Sequence, residues 1–99
     1  MKTVVIRGKE WKLAYNLRTL FFFEEMAGHP YKGDKTVETY LLFFSMLMAN
    51  NDDFSMQFDE FVEACDEDMC LYQSFVEVMD EYGKRVSAFV DNKKKAVMQ

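Results

Sequence analysis

The sequence predicts an α+β fold that is mainly helical: an N-terminal β-hairpin (about 2–15) followed by three to four helices (about 17–27, 36–50, 57–65, 68–91). Two observations predict this class. Apolar and polar residues alternate at the start of the chain, as in strands, and further along apolar residues recur at steps of three and four, as in helices. The chain has 99 residues, the length of one domain. We therefore expect a single domain over residues 1–91 and a basic, mobile tail over residues 92–99.

The hairpin is predicted from two segments rich in Val, Ile, Trp and Tyr on either side of Gly8-Lys9. Glycine at the first position of a two-residue loop favours a type II′ turn. Alternation places five apolar side chains on one face of the hairpin: Val4, Ile6, Trp11, Leu13 and Tyr15. Because an isolated hairpin is only marginally stable in water, we expect this face to rest on the helices or on a second chain.

The first two helices are predicted from the residues at their ends as well as from their apolar spacing. Asn16 is a suitable N-cap for the first helix, and Gly28 suits the left-handed conformation that ends it. A loop rich in proline and glycine follows. Either Asp34 or Thr36 is then expected to cap the second helix, which is apolar on nearly every side and is therefore expected to be buried or to contact a partner.

The last two helices are separated by the acidic run Asp66-Glu67-Asp68, which suits the cap and first turn of a helix. The spacing continues through Gly83, so we predict one long final helix with Gly83 as a point of close packing. The alternative is that Gly83 ends the helix. The basic run Lys93-Lys94-Lys95 either belongs to the mobile tail or prolongs the helix, since lysine suits a helix C-terminus.

The charge of the chain is acidic and uneven. The formal net charge is −5, and no lysine or arginine occurs between Asp52 and Glu81. Because nucleic-acid binding requires basic residues that replace phosphate counterions, we expect no nucleic-acid partner, whereas cationic partners are attracted to the acidic half. No apolar run approaches the roughly 18 residues of a membrane span, and the first residues show no secretory signal pattern. We therefore expect a cytoplasmic protein without a membrane partner.

The residues that usually carry chemistry are few and scattered. His29 is the only histidine and lies in a loop. Cys65 and Cys70 are five residues apart, which on a helix turns them about 140° from each other, so we interpret both as reduced packing residues. The run that begins at Asp66 fails the calcium-loop pattern because Leu71 occupies the glycine position. We expect no cofactor, no metal site and no enzyme activity.

The sequence contains more large apolar residues than one small core hides easily: 49% of the residues are hydrophobic and 16% are aromatic. Three residues at helical spacing define the packed side of the first helix: Leu17, Leu20 and Phe23. Phe21 and Phe22 then point elsewhere, because neighbours on a helix diverge by about 100°. In the second helix, Phe43 and Met46 lie off the main apolar stripe. These four residues are the candidate partner-binding residues; the alternative is that the hairpin and the last helix cover them.

Five short motifs follow one another over roughly residues 1–80: Gly8-Lys9-Glu10, Asn16-Leu17-Arg18-Thr19-Leu20, Phe23-Glu24-Glu25-Met26-Ala27-Gly28, Phe58-Asp59-Glu60-Phe61 and Asp66-Glu67-Asp68. In this order they resemble the small tail assembly chaperones of tailed bacteriophages and prophages. The resemblance implies a strand pair followed by a few helices, and often an oligomer in the bacterial host cytoplasm. It also implies a client, the tape-measure protein, whose hydrophobic helices the chaperone keeps soluble until the tail tube forms.

Two other non-enzymatic functions compete with a chaperone. One is a self-assembling structural subunit, such as a tail or head completion protein, in which the surplus aromatic residues lie inside a homo-oligomer. The other is a small regulator that binds DNA or a polymerase, and the acidic net charge argues against its DNA-binding form. The triple Phe21-Phe22-Phe23 and the long final helix depart from the family pattern, so the resemblance does not itself assign the binding surface.

Overall fold

The computed structural model describes the backbone of residues 2–98 and the side chains of residues 2–87. Its elements follow the chain in this order: β1 (Lys2–Ile6), β2 (Lys9–Leu13), α1 (Leu17–Ala27), α2 (Thr36–Asn50), α3 (Phe58–Glu67) and α4 (Met69–Met98). The two strands form one antiparallel sheet. The predicted α+β, mainly helical fold is confirmed.

The hairpin has the predicted strands but a different turn. Ile6 pairs with Lys9, so the two-residue loop is Arg7-Gly8 rather than Gly8-Lys9. Both loop residues have positive φ, 53° at Arg7 and 82° at Gly8, which is the pattern of a type I′ turn and matches the twist of the strands. The predicted type II′ turn is therefore wrong. The predicted face is confirmed for the strand residues, since all four are buried: Val4, Ile6, Trp11 and Leu13.

The ends of α1 are those that the sequence predicts. The Thr19 amide donates a hydrogen bond to the side-chain oxygen of Asn16 at 3.0 Å, which is the N-cap interaction. At the other end, Gly28 has φ 81° and its amide donates to the Glu24 carbonyl at 2.8 Å. The prediction for α2 is wrong at its start, because Lys35 occupies the cap position and no side chain caps this helix.

The acidic run lies partly in α3 and partly ahead of α4. α3 continues to Glu67, two residues beyond its predicted end, and Asp68 accepts a hydrogen bond from the Cys70 amide at 3.0 Å as α4 begins. α4 passes through Gly83 without interruption and continues to Met98. The alternative that Gly83 ends the helix is therefore wrong, and so is the predicted end near residue 91, since the helix continues through Lys93-Lys94-Lys95. The mobility expected for residues 92–99 stays a prediction.

α2 forms the centre of the core. Every residue from Leu42 to Leu47 is buried, because α2 has α1, β2, α3 and α4 around it. Within this core Phe43 stacks on Phe75 of α4 with ring centroids 5.1 Å apart, and it meets Phe61 of α3 edge-on at 4.9 Å. The all-round apolarity of α2 is thus explained by burial within the chain.

Asparagine side chains join the hairpin to the end of α2. Asn51 accepts a hydrogen bond from the Lys12 amide at 2.9 Å and donates one to the Lys12 carbonyl at 2.9 Å, as a third strand would. Asn50 donates to the Ala14 carbonyl at 2.9 Å and accepts from the Asn16 side chain at 2.9 Å. These bonds cover part of the open edge of β2 and place the N-terminus of α1 against the end of α2.

Candidate protein-binding surface

The structure separates the four candidate partner-binding residues into two groups. Phe43 and Met46 are fully buried, so their interpretation as surface residues is wrong. For Phe43 the reason is that Phe61 of α3 and Phe75 of α4 pack on its ring; Met46 belongs to the same core. Phe21 is 61% exposed and Phe22 is half-buried. The structure therefore brings together only the two candidates on α1.

Three apolar residues of α1 define a surface that we call the α1 patch: Leu17 and Phe21, which are exposed, and Phe22, which is half-buried. Met26, which is 40% exposed, lies one turn after Phe22. Leu17 is 68% exposed and lies one helical turn before Phe21, on the same side of α1. Phe21 and Phe22 also line a shallow depression of about 180 Å³ with the polar side chains of Arg18 and Glu25. The α1 patch is thus an apolar surface with a charged edge.

The orientation of α1 follows from what its inner side contacts. Phe23 is fully buried and meets the ring of Tyr31 edge-on, with centroids 5.3 Å apart. Thr19 is also fully buried, and its hydroxyl contacts the side-chain oxygen of Asn16 at 3.0 Å. Since Thr19 and Phe23 are one turn apart and face inward, Phe21 is turned outward.

Leu17 is the residue of this surface that the sequence interpretation missed. The spacing of Leu17 to Leu20 and Phe23 predicts that Leu17 packs inward. In the first turn of α1, however, Thr19 is the residue that is buried and Leu17 is exposed. The signal in the sequence is the i,i+4 spacing of Leu17 and Phe21, which places both on one side of the helix. The N-cap role of Asn16, which draws Thr19 inward, is a second signal.

Two clefts contain polar residues but no arrangement that suggests catalysis. One, of about 570 Å³, lies between the hairpin and α4 and has Lys2, Lys84 and Arg85 at its edge. The other, of about 670 Å³, lies beside Trp11 and Asp53 at the end of α2. At the second cleft, the hydrogen bond from the Lys9 ammonium, 2.8 Å away, lowers the pKa of Asp53. Both clefts are open and mix acidic with basic side chains, as ordinary surface clefts do.

The histidine and the cysteines have structural surroundings. His29 Nε2 lies 2.7 Å from a Glu38 carboxylate oxygen, and Nδ1 lies 2.7 Å from the Pro30 carbonyl, so the ring ties the loop to α2. Burial raises the pKa of the Cys65 thiol to about 11, and two nearby acids add to the shift. Cys70 is exposed, and neither cysteine forms a disulfide. Among the side chains of residues 2–87, no three His, Cys, Asp or Glu residues are grouped to hold a metal ion.

Neither a protein-family model, nor a curated protein, nor a solved structure matches the chain. The resemblance to tail assembly chaperones therefore stays a prediction. Within the part of the chain that the structure describes, no helix combines the length and apolarity needed to cross a membrane. The α1 patch, with two strongly exposed apolar residues one turn apart on the same helix, is therefore the candidate protein-binding surface.

Proposed function

We propose that the chain is a protein-binding assembly chaperone, similar to phage tail assembly chaperones, that shields hydrophobic helices of a tape-measure-like client in the bacterial cytoplasm. One observation carries the proposal: Leu17 and Phe21 are exposed side by side on α1, next to the half-buried Phe22. Burial of one such side chain is worth about 1.5–3 kcal/mol. A client that covers the α1 patch recovers this free energy.

The α1 patch differs from ordinary surface apolarity because its residues are adjacent. Single exposed apolar residues are common on soluble proteins; Val5, on the outer face of the hairpin, is an example at 56% exposed. Leu17 and Phe21 instead make a ridge one turn long on a rigid helix whose two ends are capped. Ridges of this kind pack against apolar residues that a partner helix presents at steps of three and four.

The charges around the α1 patch suit the proposed client. Glu24 and Glu25 lie on the exposed side of α1, and Arg18 lies beside them. Charged residues at the rim of an interface contribute orientation and association rate more than affinity. The acidic second half of the chain attracts a client with basic flanks over a longer range. In this proposal binding needs no catalytic group and no cofactor.

Co-expression with the tape-measure-like protein encoded next to this chain tests the proposal. We expect the wild-type chain to keep the client soluble and to elute with it in one complex, as measured by size-exclusion chromatography with light scattering. The double variant Leu17→Ser with Phe21→Ser should lose the client while its circular dichroism stays unchanged. Val5→Ser, which removes an equally exposed apolar side chain elsewhere, is the matched control and should retain the client.

Two results contradict the proposal. The first is that the client is as soluble when expressed without the chain as with it. The second is that the double variant binds the client as well as Val5→Ser does. A chain that forms a sharp homo-oligomer and ignores the client favours the alternative function, a self-assembling structural subunit.

A further inference from the structure

α4 is longer than the part of the protein on which it packs. Its 30 residues correspond to a rod of about 45 Å, and the molecule measures 52 × 27 × 25 Å. Every side chain from Gly83 to Ser87 is exposed. Because five consecutive residues cover all sides of a helix, no side of α4 is deeply buried at this point, although Lys84 and Arg85 still line the cleft beside the hairpin. Isolated helices of about 15 residues are marginal in water, so pairing with a second helix would stabilise this half of α4.

α4 carries two different apolar stripes. The first packs on the domain and consists of Leu71, Phe75, Val78 and Tyr82. The second, which we call the α4 seam, occupies alternating steps of three and four: Met69, Tyr72, Val76, Met79, Gly83 and Val86. Met69 is 77% exposed, and Tyr72, Val76 and Val86 are exposed to 37–42%. Met79 is half-buried against the core, and the ring of Tyr72 also contacts that of Tyr40, with centroids 5.4 Å apart. Strict alternation of three and four is the heptad spacing by which two helices pair along a seam.

Gly83 lies in the middle of the α4 seam, and no contact within the chain requires a glycine there. A Cβ at this position meets nothing within 4 Å. Glycine inside a helix costs about 1 kcal/mol relative to alanine. A second helix that crosses at Gly83 gives the residue a function, since the missing side chain allows the two backbones to approach closely.

The charges of α4 change sign along its length. From Met69 to Glu81 the helix has three acids and no base, whereas from Tyr82 to Met98 it has five bases and one acid. A parallel pair of α4 helices places like charges side by side. An antiparallel pair places each acidic half beside a basic half, which favours this orientation.

The geometry points to a second copy of this chain as the occupant of the α4 seam. The two α4 helices pair antiparallel about a twofold axis midway between Met79 and Gly83, so that the central part of each seam, from Val76 to Val86, lies against the same part of the other copy. In this register Val76 lies opposite Val86 of the second copy, and Met79 lies opposite Gly83. The α4 seam shares no residue with the α1 patch, so the variants that test the dimer differ from those that test client binding.

The first experiment measures the mass of the purified full chain by size-exclusion chromatography with light scattering. We expect the mass of two chains. The double variant Val76→Glu with Val86→Glu should have the mass of one chain and unchanged helical content, because it places carboxylates in the seam. Val5→Glu, at a valine on the hairpin that is 56% exposed, is the control for an added carboxylate and should stay dimeric.

The second experiment tests the orientation by disulfide formation in a Cys70→Ser background, in which the buried Cys65 remains. In an antiparallel pair, Val76→Cys with Val86→Cys together form a covalent dimer, whereas Val76→Cys alone does not. In a parallel pair, position 76 of one copy lies beside position 76 of the other, so Val76→Cys alone would form a covalent dimer.

Three outcomes overturn the inference. The wild-type chain is a monomer at high micromolar concentration; the seam variant stays dimeric; or Val76→Cys alone crosslinks as well as the double variant. If the chain is a monomer and binds a client helix through the α4 seam, the dimer is likewise overturned and the seam is a client-binding surface.

Discussion

α1 and α2 both contain adjacent phenylalanines, but these residues differ in their exposure to solvent. Phe21 of α1 is exposed, whereas Phe43 of α2 is fully buried. The difference comes from the neighbours of each helix: α1 packs mainly on α2, while α2 has the hairpin, α1, α3 and α4 around it. A helix covered on one side leaves its other apolar residues in solvent. The position of a helix in the fold, rather than its composition, therefore decides which phenylalanines are available to a partner.

The largest expected effect is on α2. Phe43→Ala removes a ring that packs between Phe61 and Phe75, so we expect a loss of about 3–5 kcal/mol in the free energy of unfolding. Chemical denaturation followed by circular dichroism measures it. A loss below about 1 kcal/mol contradicts the central role of α2, because truncation at an exposed site has effects of that size.

A smaller effect is expected where α2 meets the hairpin. Asn51→Ala removes the side chain that binds both the amide and the carbonyl of Lys12. Water can reach these groups, so we expect a loss of about 1 kcal/mol together with faster hydrogen exchange at the Lys12 amide. Asp52→Ala, at the next and exposed position, is the control. If the Lys12 amide exchanges at the same rate in both variants, the Asn51 side chain does not protect the backbone of Lys12.

Local signals in the sequence predict much of this fold. The bounds of α1 follow from Asn16 and Gly28, because a cap and a left-handed glycine act within a few residues. The buried face of the hairpin follows from alternation. The turn was missed because Arg7 adopts positive φ, which few residues other than glycine, asparagine and aspartate favour. Such a conformation is imposed by the pairing of the strands, which residue types alone do not specify.

The candidate surface is predictable only in part, because exposure depends on contacts that are distant in sequence. Phe43 is buried against α3 and α4, and helical spacing within α2 contains no information about those helices. The helical spacing of Leu17 to Leu20 predicts a core position for Leu17, which is wrong. Only the packing of Thr19 shows which of the two possible sides of α1 faces inward.

The smallest expected effect on stability is on α1, and it completes the comparison with α2. Phe21→Ala should change the free energy of unfolding by no more than about 0.5 kcal/mol, because a side chain already in solvent loses little packing when it is shortened. The same change on the client-bound complex should weaken binding, since the ring is buried there in our proposal. Denaturation of the free chain and a binding titration with the client measure the two effects separately. If Phe21→Ala destabilises the free chain as strongly as Phe43→Ala, the ring contributes to folding, and the distinction between α1 and α2 as surface and core is wrong.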